Sequence, residues 1–213
     1  MVVGKDNLVD KADELGEKPE YKAQFDAVFP GIGATPDTVV KALAAYERTL
    51  FCTDTAFDRF VAGDASALNE EQKKGKDLFI GQAGCHSCHT PPMLSDAYLN
   101  SDGAYHNVGI GIEGKSTDEV DVGRQKVSEN PSEWAAFKTP SLRNVSKTAP
   151  YFHDGSVAKL EDAVRFMASG GYKNPKLDAK MVDKKLTDEQ ITQLVAFLGS
   201  LDCEGELEAP PAH

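Results

Sequence analysis

The chain has 213 residues, a formal net charge of −11 and a hydrophobic content of 40%. That length suits one medium domain with or without a helical extension. The negative balance argues against nucleic acid as a partner, and no apolar run approaches the ~20 residues of a membrane helix.

Residues 1–17 are charged and weakly patterned, and read as an exposed lead-in. Met1 to Asp6 hold no basic region followed by an apolar core, so any export leader is expected to lie outside this numbering. Pro19 to Phe29 reads as a short helix with Tyr21, Phe25 and Val28 on one side, stopped by Pro30-Gly31. Thr35-Pro36-Asp37 is a helix start: a capping hydroxyl, proline in the first turn, then an acid at the positive end of the dipole. Val39, Leu43, Tyr46 and Leu50 recur at helical spacing and predict a buried stripe. Asp54 to Asp64 reads as a connector with a helical turn near Phe57 to Phe60. Asn69 begins the next helix, with Gln72 completing a capping box. Gly75 sits in its middle, where glycine costs about 1 kcal/mol relative to alanine. A close helix crossing over that position would account for it.

Cys85-His86-Ser87-Cys88-His89 follows directly. This is C-x-x-C-H, the attachment sequence of a c-type haem. Two thiols with two residues between them match the two porphyrin vinyl groups, and the adjacent histidine reaches the iron as an axial ligand. A zinc ribbon would need a second such cysteine pair, and the sequence has none.

Thr90 to Val157 is long and rich in Gly, Pro, Ser and Asn. So long an irregular stretch is unusual in a compact domain unless it wraps a cofactor. Gly109 to Gly114 superficially resembles a nucleotide loop, but follows no strand and opens no helix, so it reads as turns. Leu160 to Ala168 predicts a helix ended by Gly170-Gly171. Thr187 with Gln190 caps the last helix, whose Ile191, Leu194, Val195 and Leu198 form an apolar stripe. The expected architecture is mainly α: a class I cytochrome c-like haem domain with long loops and an N-terminal helical extension. Its expected divisions are a helical lead-in at 1–68, a haem domain at 69–205 and a frayed acidic tail at 206–213. The helix before the haem should cross the last helix, with Gly75 and Phe79 against Leu194 and Phe197.

The second axial ligand decides what the iron can do. Met1 is terminal and Met93 lies too near the proximal histidine to reach the other face. Met167 falls on the apolar side of its helix with Leu160 and Val164, whereas Met181 sits among Lys180, Asp183, Lys184 and Lys185 and reads as solvated. Met167 is the favoured ligand. His106 and His153 are competing nitrogen ligands that read better as hydrogen-bonding groups, and His86 reads as exposed. Arg124, Arg143 and Lys138 are candidate partners for the haem propionates. Cys52 and Cys203 remain. Covalent haem is attached outside the reducing cytoplasm, where they can form a disulfide or stay as two buried thiols. A bridge closing so long a loop is worth roughly 4–5 kcal/mol in the chain-entropy model.

The segments Ala45 to Leu50, Phe57 to Phe60, Gly84 to His89, Tyr105 to Gly109, Lys138 to Val145, Ala149 to Gly155, and Leu160 to Val164 ahead of Met167 together resemble the C-terminal haem domain of the bacterial dihaem cytochrome c peroxidases, the family that includes MauG. In that family an N-terminal haem is peroxidatic and the C-terminal haem holds and delivers electrons. The resemblance implies that His89 and Met167 are the axial pair of the electron-delivering haem, since MauG-type members carry tyrosine in place of that methionine. It also implies a calcium ion on the backbone carbonyls of Thr148 and Pro150, completed from the other domain, a periplasmic location, and dimers as a common assembly. The sequence departs from the family in holding a single C-x-x-C-H, so the peroxidatic half is expected to be absent, no catalytic residue is assigned, and Cys52 and Cys203 are not general family features. The expected role is an electron relay from a small cytochrome or cupredoxin toward hydrogen peroxide reduction at a second haem. The alternatives are a free-standing monohaem carrier, and an enzyme in which Met167 leaves the iron.

Overall fold

The computed structural model describes residues 5–50, 52–99 and 103–204, which form two compact units, 5–50 and 52–204. The expected tail at 206–213 lies outside the described residues.

The first unit holds three helices: α1 (Lys5–Glu17), α2 (Pro19–Val28) and α3 (Pro36–Thr49). The charged lead-in is a helix over Lys5–Glu17. Its charges support it locally, because Glu14 pairs with Lys11 and, at 2.9 Å, with Lys18 one turn away. Thr35 caps α3: its hydroxyl accepts from the Thr38 N–H, and the Thr38 hydroxyl accepts from the Thr35 N–H at 2.8 Å. The predicted stripe along α3 is only partly realised. Val39 is buried, but Leu43 and Tyr46 are 55% and 40% exposed. Full burial in this unit is confined to Ala12, Thr38 and Val39 among the described residues, so α1, which packs on α3, covers one end of it only.

The second unit begins at Cys52. Its opening strand of chain runs against its closing one: the Phe57 N–H donates to the Ser200 carbonyl at 3.1 Å, and Thr55 forms an antiparallel bridge with Cys203. The Cys52 and Cys203 Cα atoms lie 5.8 Å apart, within disulfide span. Helix α4 (Ala56–Val61), capped by Thr55, delivers Phe57 into the core. Helices α5 (Glu70–Ile80) and α8 (Asp188–Gly199) form the frame. Both begin with the predicted capping boxes, Asn69 with Gln72 and Thr187 with Gln190. They cross at Gly75, where a Cβ would stand 1.9 Å from the Gln193 carbonyl oxygen and 2.8 Å from Phe197 Cβ. No side chain fits there, so the propensity penalty is the condition for close packing. Phe197 then meets Phe57 edge-on at 5.3 Å and Phe79 at 5.1 Å between ring centroids, with Leu68, Leu94, Leu194 and Leu201 around them.

Residues 90–157 carry little regular structure: several 3₁₀ turns, the single-turn helix α6 (Gln125–Ser128), and strands β1 (Tyr105–His106) and β2 (Phe137–Lys138) paired antiparallel. Residues 109–114 form turns, as their glycines imply. Helix α7 (Leu160–Ala168) packs on α8. No helix among the described residues is long and apolar enough to cross a membrane.

Candidate haem site

Helix α5 ends at Ile80, and Gly84 adopts φ 65°, a left-handed conformation natural to glycine. The chain reverses there into a 3₁₀ turn over Cys85–Ser87, and the His89 N–H closes onto the Cys85 carbonyl at 3.0 Å. One tight turn thus gathers Cys85, Cys88 and His89 on the wall of a single cavity of about 490 Å³. That volume is in the range of cofactor sites, ~300–1,000 Å³. The two thiols are not bonded to each other. Burial pushes the Cys85 thiol up to about 11, whereas burial of Cys88 is outweighed by His106 and Lys180, which draw its thiol below the ordinary range.

His89 is oriented by the backbone. Its Nδ1 lies 2.9 Å from the Leu94 carbonyl oxygen, so Nδ1–H donates there and Nε2 is left with its lone pair. Burial lowers the imidazole pKa, keeping the ring neutral as a metal ligand requires. Leu94 is 1% exposed and holds φ 53°, a left-handed conformation unusual for leucine. That backbone turn is part of what brings its carbonyl to the ring.

Helix α7 supplies another wall of the cavity through Leu160, Ala163, Val164 and Met167. Met167 therefore shares the cavity with His89. Met181 does too, which corrects its reading as solvated: it is 9% exposed. The reason is Gly171, whose φ of 66° turns the chain back after α7; a Cβ there would stand 2.0 Å from the Val108 carbonyl oxygen and 3.2 Å from Met181 Cε. The apolar atom of the lysine-rich segment folds inward while its charges stay outside.

Of the other histidines, His106 is held by its partners. His106 places Nδ1 2.6 Å from an Asp178 oxygen and Nε2 2.9 Å from an Asp96 oxygen, so both nitrogens donate. Hydrogen bonding to the Cys88 thiol, then to Asp178 and Asp96, raises its pKa to about 10. An imidazolium has no lone pair for iron. His153 borders the cavity with its ring stacked on Phe137 at 3.6 Å between centroids, and His86 is exposed. Of the three candidate propionate partners, only Lys138 lines the cavity. Arg143 instead makes a two-pronged pair with Asp58, at 2.7 and 2.9 Å, and reaches the Pro92 carbonyl. The guanidinium of Arg124 lies 4.4 Å from the centre of the Tyr105 ring. Thr148 and Pro150 lie exposed on the cavity rim. The donor set of two thiols, an oriented neutral imidazole and thioether sulfurs in a mainly apolar cavity fits a covalently held haem.

Sequence reasoning missed three contributors: the Leu94 carbonyl, the burial of Met181, and the clamp of Asp96 and Asp178 on His106. The tight Gly170-Gly171 turn after α7 was the available signal for Met181.

Residues 4–66 match the family model for di-haem cytochrome c peroxidase, and residues 72–202 match that for cytochrome c. The chain is 32% identical to the cytochrome c551 peroxidase of Nitrosomonas europaea over 193 residues, 88% of this chain and 52% of that protein. It is 36% identical to the methylamine utilization protein MauG of Methylorubrum extorquens over 192 residues, covering 89% of this chain and 50% of that protein. Among solved structures, a MauG-like protein associated with microbial copper homeostasis superposes with a TM-score of 0.77 at 30% identity, covering 98% of this chain and 65% of that one. The diheme peroxidase BthA of Burkholderia thailandensis shares the fold, with a TM-score of 0.59 at 18% identity, over 92% of this chain and 59% of that one. The chain thus spans about half the length of the curated relatives it matches. With its C-x-x-C-H turn, its cavity and these matches together, the chain belongs to the cytochrome c family, and it is similar to the di-haem cytochrome c peroxidases and MauG proteins.

Proposed function

We propose that this chain is the electron-transfer half of a periplasmic cytochrome c peroxidase. It takes electrons from a small cytochrome or cupredoxin and passes them to a peroxidatic haem in a separate domain, where hydrogen peroxide is reduced to water. The observation that supports this reading is that His89 and Met167 line one cavity on different elements, so the chain itself offers a candidate ligand for each axial position. The haem supplies one-electron chemistry when bound, and a thioether ligand favours the ferrous state and raises the potential. The protein's part would be to hold the ring by Cys85 and Cys88, orient His89 through the Leu94 carbonyl while burial keeps its imidazole neutral, and offer Met167 to the remaining axial position. An iron filled in this way exchanges electrons without binding peroxide.

Replacing Met167 tests the assignment. Met167→Ala in the haem-loaded chain is expected to abolish the near-infrared methionine-to-iron charge-transfer band and lower the midpoint potential. Persistence of the band, with loss of it in Met181→Ala, would transfer the ligand role to Met181. The Cys52–Cys203 disulfide and a calcium ion on the Thr148 and Pro150 carbonyls belong to the same proposal.

A further inference from the structure

Residues 173–185 follow α7 and carry five lysines against two aspartates, in a chain whose net charge is −11. The two acids are already engaged: Asp178 with His106 at 2.6 Å and Asp183 with Lys185 at 2.6 Å. The segment is a strap lying on the haem-anchoring turn. Lys180 Nζ is 3.3 Å from the Ser87 carbonyl oxygen and 3.6 Å from Cys88 Sγ. Lys184 Nζ is 3.7 Å from the position a Cβ would take on Gly84, and the Lys184 carbonyl accepts from the Gln82 side chain at 3.2 Å. Lys173, Lys176, Lys180 and Lys185 are exposed, Lys184 is half-buried, and His86 and Ser87 beside them are exposed. Met181 pins the strap from inside, as described above. A concentrated positive patch thus rims the cavity at Cys88, one of the two thiols that would hold the haem.

From this arrangement we propose that the strap is the docking surface for a small redox protein with an acidic rim around its own metal centre. The proposal rests on the reading of this chain as an electron relay and names its partner by charge. The step is one-electron: the donor is oxidised, the haem iron of this chain is reduced from ferric to ferrous, and no bond forms or breaks. Charge complementarity acts mainly on the encounter rate and is screened by salt within a Debye length of about 10 Å at 0.1 M. A patch of lysines on an acidic molecule also orients the partner, because the rest of the surface repels it.

The test compares the haem-loaded full chain with a Lys180→Gln, Lys184→Gln, Lys185→Gln variant. Stopped-flow electron exchange is measured with an acidic plastocyanin and with a basic mitochondrial-type cytochrome c. At low ionic strength the variant is expected to exchange electrons with plastocyanin about threefold to tenfold more slowly than the wild type. The two should converge at high salt, and exchange with the basic cytochrome should not slow. An equal slowing with both partners, or none with plastocyanin, overturns the docking assignment. The visible and near-infrared spectra separate this outcome from failure of the relay reading. A wild-type spectrum without a methionine-ligated low-spin iron removes the relay, whereas a normal spectrum with no partner selectivity removes only the strap.

Discussion

Leu94 shows how one backbone carbonyl sets the chemistry of a side chain five residues earlier. Its oxygen fixes the His89 tautomer, and burial keeps the ring neutral. The C-x-x-C-H motif made His89 legible as a ligand, yet nothing in the residue types announced that a leucine would turn left-handed to orient it. Met181 was misread for a related reason: charged neighbours describe where a segment's polar atoms go, not where each of its apolar side chains points. The pair of Arg143 and Asp58 belongs to this scale too. Hydrogen bonding from Arg143 holds the Asp58 carboxyl well below its usual range, down to about 2. A depressed folded-state pKa gives stability that is present above pH 4 and lost as pH falls toward 2. Arg143→Gln should therefore destabilise the protein by about 2 kcal/mol at pH 7. The gap to wild type in thermal melts should narrow between pH 4 and pH 2; a constant gap would contradict this account.

Among elements, helix starts were the most legible, because Asn69 with Gln72 and Thr187 with Gln190 are local chemical devices that need no tertiary context. The crossing of α5 on α8 was also legible, from a glycine whose cost demanded a compensation. Gly75→Ala puts a methyl onto the Gln193 backbone, so it should cost about 1–3 kcal/mol or more, as overpacking does. Calorimetry should show a lower melting temperature with the haem spectrum retained; an unchanged melting temperature would mean that the helices separate freely. The exposed Leu43 and Tyr46 mark the limit of periodicity, which reports that a helix has an apolar face and not what covers it. The loops from 90 to 157 were illegible in detail, since their order comes from long-range partners such as β1 with β2 and His106 with Asp178.

For the whole molecule, Cys52 and Cys203 bring the two ends of the second unit together. A loop of separation 151 is long, so reduction of the proposed disulfide should lower unfolding stability by as much as roughly 4–5 kcal/mol. Denaturant titration with and without reductant measures it, and coincident curves would mean that the bridge does not form. The central claim is that this chain carries a haem whose axial positions it fills itself. The ferric spectrum of the haem-loaded chain, recorded alongside its turnover of hydrogen peroxide, tests that most directly. The account predicts a low-spin ferric iron with a methionine charge-transfer band and no peroxide turnover by this chain alone. A high-spin ferric iron that consumes peroxide would contradict it.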